Sequence, residues 1–151
     1  MIKIRFYNYY NSSKLPYLKY VAHAVERRFQ IEEDYHVNLV ICSNEMIKDY
    51  NNRYRHIDKE TDVLSFPSDE DNELGDILIS YEKAQSQALE YEHSLKREIS
   101  FLFCHGLLHC YGFDHITKEE EEIMFWHQRH IMDDAGGLES YEKCRKYFEK
   151  S

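Results

Sequence analysis

The chain has 151 residues, of which 42% are hydrophobic, and its 28 acidic against 19 basic side chains leave a formal net charge of −9. That length suits one core-bearing domain, so residues 1–151 are expected to form a single domain, with 138–151 as a helical or loose C-terminal tail. The charge excludes indiscriminate phosphate binding, because the field of the whole protein repels polyanions. Any nucleic-acid contact must therefore be local.

No leader-like charged and apolar stretch opens the chain, and no apolar run nears the roughly eighteen residues of a membrane span. The expectation is a soluble cytoplasmic protein with neither a membrane nor a DNA partner. Cys42, Cys104, Cys110 and Cys144 have no C-x-x-C spacing, and they read as reduced thiols.

In chain order, Ile2, Ile4 and Phe6 alternate with Lys3 and Arg5 and predict a half-buried strand. From Pro16 to Phe29, Leu18, Val21, Ala22, Val25 and Phe29 recur at helical spacing. Val37, Leu39 and Ile41 predict a second strand. Ser43 is placed to cap a helix whose apolar face is Met46, Ile47 and Tyr50. From Asn51 to Glu60 the apolar periodicity is lost, and Arg53, Arg55 and Lys59 form a small basic cluster within that stretch.

Thr61 to Pro67 then predicts a strand closed by its proline. Leu74 to Ser80 predicts another, paired with the first across the acidic loop Ser68 to Glu73. Tyr81 to Tyr91 turns helical, and Ser94 is placed to cap a long apolar helix running into the histidines. Thr117 is placed to cap a glutamate-rich helix carrying Ile123, Met124, Trp126, His127, Ile131 and Met132, broken at Gly136 and Gly137. The order predicts an α/β (α+β) domain: a small mixed sheet of about four strands covered by helices, with the apolar histidine-bearing helix at its centre.

The block His105-Gly-Leu-Leu-His109-Cys-Tyr-Gly112-Phe-Asp-His115 reads as a metal site. Residues four apart share a helix face, so His105 and His109 can address one ion. Gly112 suits the left-handed turn that ends a helix, and three more residues return His115 to the third corner. Three neutral imidazoles suit a single Zn²⁺ with its fourth position left to water. Asp114, beside the third ligand, either orients an imidazole or holds the turn. Glu98 shares the face of His105 but lies two turns, about 10 Å, away, too far to serve as a base there. Asp62 and Asp76 read as hydrogen-bonded strand aspartates.

The spacing His-x-x-x-His-x-x-Gly-x-x-His resembles that of metzincin peptidases, where a glutamate general base follows the first histidine. Here that position is Gly106, which has no side chain for the task. The full string HGLLHCYGFDH is more similar to the YbeY family of bacterial rRNA maturation factors, whose pattern is close to HGxLHLxGYDH. Asn52, Arg53, Tyr54 and Arg55 followed by TDVLSFP resemble a second block of that family, and LGDILIS at Leu74–Ser80 a third.

The resemblance implies a zinc-dependent endoribonuclease acting in ribosomal RNA maturation and ribosome quality control. It also implies His105, His109 and His115 as the ligands and Arg55, which follows the aromatic Tyr54, as the functional arginine. The expected partners are ribosomal RNA or a ribosomal subunit, together with a protein partner. The competing readings are a metzincin-like metallopeptidase, weakened by Gly106, and a non-catalytic zinc-containing ribosome-assembly factor.

Overall fold

The computed structural model describes residues 1–135, so the expectation for 138–151, and Cys144 with it, lies outside the described residues. Four strands, β1 (Ile2–Asn8), β2 (Tyr35–Cys42), β3 (Val63–Pro67) and β4 (Glu73–Ser80), form one sheet in the order β1-β2-β4-β3. β1 runs parallel to β2 and β2 to β4, whereas β3 pairs antiparallel with β4, setting Ser65 opposite Ile77 and Phe66 opposite Asp76. Among the described residues five helices accompany it: α1 (Leu18–Phe29), α2 (Asn44–Arg55), α3 (Tyr81–Glu90), α4 (Leu95–Tyr111) and α5 (Lys118–Asp134). This is the α+β architecture expected from the element order. Among the described residues no helix is long and apolar enough to cross a membrane.

Strand alternation divides the packing into two unequal layers. Val37, Leu39, Ile41, Ile77 and Ile79 point to one face and meet α1, α4 and α5 in the main core. Cys42, Leu64 and Leu78 join Ile47 of α2 in a smaller cluster, with Val40, Tyr50 and Phe66 packed against it. Each such aliphatic side chain, once fully buried, stabilises the fold by about 1.5–3 kcal/mol relative to exposure, so the main layer dominates.

α4 sits in the middle of that layer. Its residues from Arg97 to Cys104 are all buried, the pattern of a helix covered all round. Ser94 Oγ accepts from the Arg97 N–H at 3.0 Å, which caps the first turn. Gly106 is also buried, and a Cβ built on it would lie 2.7 Å from Cγ2 of Ile77. The missing side chain is what lets α4 approach β4 there.

Three features go beyond the sequence reading. α2 continues to Arg55, one turn beyond its apolar face, and stops where His56 adopts a left-handed conformation with φ 60°. The residues past Tyr50 are held by helix continuity and caps, which an apolar-periodicity argument does not register. On α5, Ile123 (53% exposed) and Trp126 (46%) face outward, because the buried stripe runs through Met124, Gln128, Ile131 and Met132 instead. Asp76 is exposed on the open face of the sheet, where Asn38 Nδ2 donates to it at 2.8 Å.

Candidate metal centre

His105 and His109 lie one turn apart near the C-terminal end of α4. Gly112 then takes φ 119°, and the N–H groups of Gly112 and Phe113 bond back to the His109 and Leu108 carbonyls at 3.1 and 2.9 Å. This left-handed cap turns the chain sharply. Asp114 Oδ1 accepts the His115 N–H at 2.8 Å, and His115 swings back onto the other two rings. The centroid separations are 4.7 Å for His105–His109, 5.0 Å for His109–His115 and 5.3 Å for His105–His115. One nitrogen from each ring lies within 4.8 Å of the other two, close enough for a single ion to be shared.

The electrostatics suit a cation. Burial, reinforced by the neighbouring His109, drives the His105 pKa down to about 3, and burial with the nearby His115 pushes His109 down as well. Both imidazoles are therefore neutral at pH 7 with lone pairs to offer, which is what a metal ligand requires. Asp114 holds the turn, and its Oδ1 stands 3.9 Å from His109 Nδ1, beyond hydrogen-bond reach. Among the described residues no cysteine sulfur joins this group, and burial pushes the Cys110 thiol up to about 12 and raises that of Cys104 too.

Behind His105 lies a residue that sequence reasoning missed. Gln128 of α5 is fully buried; its Nε2 donates to the Phe101 carbonyl at 3.0 Å, which leaves Oε1 to face His105 Nδ1 at 3.4 Å. An oxygen there keeps the His105 proton on Nδ1 and its Nε2 lone pair available to a ligand. The available signal was a polar residue in a buried stripe, four positions after Met124 and three before Ile131.

The histidines open into a cleft of about 670 Å³ whose other walls include Arg55, Asp62, Ser65, Asp114, Glu121 and Phe125. Arg55, the last residue of α2, reaches it across the β3 edge. Its Nη2 donates to the Ser65 carbonyl at 2.7 Å and its guanidinium lies 5.3 Å from the Phe66 ring centre. Arg53 is elsewhere, paired with Asp49 at 2.8 Å. Asp62 lines the cleft but is committed, accepting from the Val63 N–H at 2.8 Å and from Gln87 Nε2 at 3.2 Å. Glu98 is buried away from the metal position, 2.6 Å from His93 Nε2, and burial raises its carboxyl. The structure thus brings together Arg55 and the three histidines, and leaves Glu98 in a structural pair.

The chain was compared with known families and structures. Residues 8–136 match the family model described as Endoribonuclease YbeY. Curated relatives named Endoribonuclease YbeY include one from Acholeplasma laidlawii, 49% identical over 107 residues, covering 70% of this chain and 78% of the relative. Another, from Bacillus subtilis, is 43% identical over 119 residues, covering 70% and 76%. A solution structure from Thermotoga maritima aligns with TM-score 0.65 at 25% identity, over 100% of this chain and 96% of that one.

Proposed function

We propose, from the premise that this chain belongs to the YbeY family of endoribonucleases, that it is a zinc-dependent hydrolase cutting RNA phosphodiester bonds. Its substrate is ribosomal RNA, met in the cytoplasm on a ribosomal subunit with help from a protein partner. The observation that carries this reading is the convergence of three histidines and Arg55 on one cleft.

His105, His109 and His115 fit a Zn²⁺ ion by donor type and spacing. When bound, zinc supplies a Lewis acid and brings the pKa of coordinated water to about 7. The protein residues do the rest. Gln128 orients the His105 imidazole, and Asp114 holds the turn that carries His115. Arg55 has five N–H donors, of which the Ser65 bond uses one, so the others are placed to pair with a phosphate oxygen as charge develops there. Gly106 faces Ile77 rather than the cleft, so the position that carries the base in metzincins is closed to one here. That argues against the peptidase reading.

The test is cleavage of a ribosomal RNA fragment by zinc-loaded protein beside His109→Ala and Arg55→Ala prepared identically. Cuts made by the parent and lost in both variants are expected. Equal cutting by all three, or by none, would overturn the proposal in favour of a non-catalytic assembly factor.

A further inference from the structure

α2 carries a second feature beside the cleft. Tyr50 and Tyr54, one turn apart, stack with ring centres 5.6 Å apart and planes inclined by 23°, and Tyr54 meets Phe66 of β3 edge-on at 5.8 Å. Two guanidiniums flank this ring cluster: Arg53 lies 5.9 Å from the Tyr50 ring and Arg55 5.3 Å from the Phe66 ring. Tyr50 and Phe66 pack against the small core cluster. Tyr54 remains 58% exposed, so its ring contributes little to burial.

The cluster is continuous with the cleft through one residue. β3 is an edge strand; Ser65 lines the histidine side of it, and Phe66 packs on the α2 side. Arg55 spans that edge, bonded to the Ser65 carbonyl and lying over the Phe66 ring. Tyr54 and Arg55 thus share Phe66 as a neighbour, on the α2 side of the β3 edge.

From this geometry we infer that Tyr54 is the stacking surface of a base subsite, holding an unpaired RNA base next to the phosphate held by Arg55. Single-stranded bases are bound by stacking on tyrosine rings and guanidinium planes, and the rings beneath Tyr54 keep its plane fixed. In a protein of net charge −9, a local device of this kind supplies attraction that the overall field does not. The inference rests on the RNA-cleaving reading, and it requires a single-stranded substrate at the cleft.

The test is equilibrium binding of two labelled probes to the full chain without metal: a single-stranded oligoribonucleotide and a fully abasic ribose-phosphate oligomer of equal length. The parent is expected to prefer the base-bearing probe by about five- to a hundredfold, the range that stacking on one aromatic ring produces. Tyr54→Phe should keep that preference. Tyr54→Ala and Tyr54→Leu should lose it while remaining cooperatively folded at the assay temperature; leucine retains apolar bulk without a π face.

A parent that does not distinguish the probes, or a Tyr54→Leu variant that prefers bases as strongly as the parent, would overturn the inference. Loss of preference in Tyr54→Leu combined with no zinc-dependent cleavage by the parent would instead sink the cleavage reading and leave the base subsite standing.

Discussion

Gly106 and Ile77 touch so closely that any side chain on Gly106 would begin 2.7 Å from the isoleucine Cγ2 and 3.0 Å from its Cδ1. This contact sets how near the histidine-bearing helix lies to the sheet, and so where His105 sits relative to the cleft. Overpacking of this kind costs about 1–3 kcal/mol, against roughly 1 kcal/mol gained from the better helix propensity of alanine.

Gly106→Ala should therefore lower the melting temperature modestly, and Gly106→Glu should do so severely without bringing in peptidase activity. Thermal unfolding of both variants checks this. An alanine variant more stable than the parent would mean that the contact does not set the helix position.

Gln128 holds His105 from behind. Loss of such a partner typically weakens metal affinity by about 10–100-fold. Gln128→Leu should reduce zinc affinity in competition with a chelator by an amount in that range, whereas Gln128→Glu should preserve or strengthen it, because a carboxylate accepts the same Nδ1–H. Equal affinities in all three proteins would assign Gln128 to packing alone.

Gly112 adopts φ 119° with open space where a Cβ would lie, so a substitution there is strained by backbone conformation and not by crowding. Gly112→Ala should cost on the order of 1 kcal/mol and displace His115. The expected signature is a drop in zinc affinity larger than the accompanying drop in stability. Unaltered zinc binding would show that the turn tolerates another geometry.

The neutral, half-buried His105 makes stability depend on pH with a definite sign. Its folded pKa, about 3, lies below the unfolded value near 6.5. Between these values the unfolded chain binds a proton that the fold refuses, so stability falls as pH drops through 6.5 toward 3. His109 is displaced in the same direction. Urea midpoints of chelator-treated protein at about pH 7.5 and 5 should differ, and His105→Gln should narrow that difference. A variant as acid-sensitive as the parent would locate the effect in other groups.

Zinc dependence and the ligand set meet in one stoichiometric expectation. Calorimetric titration should give one zinc per chain, and no tight site in His105→Ala, His109→Ala or His115→Ala. Arg55→Ala should bind zinc as the parent does while losing RNA cleavage by about a hundredfold or more, the scale of removing a donor from developing charge. Loss of zinc together with Arg55 would make that residue structural.

What the sequence determined by itself is whatever depends on neighbours a few residues apart. Hydroxyl caps at Ser43, Ser94 and Thr117 accept from the third residue beyond, as the spacing implied. The pairing of β3 with β4 followed from two apolar runs around a short polar loop. The convergence of the three histidines was legible for the same reason: helical periodicity aligns His105 with His109, and a left-handed glycine brings back His115.

The tertiary structure decided what crosses between distant segments. His105 meets Gln128 from 23 positions away, and no local pattern specifies a contact made by packing one helix on another. Arg55 was picked out only by resemblance; its place at the cleft depends on α2 ending at the β3 edge, which the pairing of β3 outside β4 creates. Gly106 was visible as an absence of a base, but that it admits Ile77 follows from the helix-to-sheet distance alone. Local rules fix dihedral angles and faces; close packing of those faces, with no room for an added methyl group, selects which of them meet.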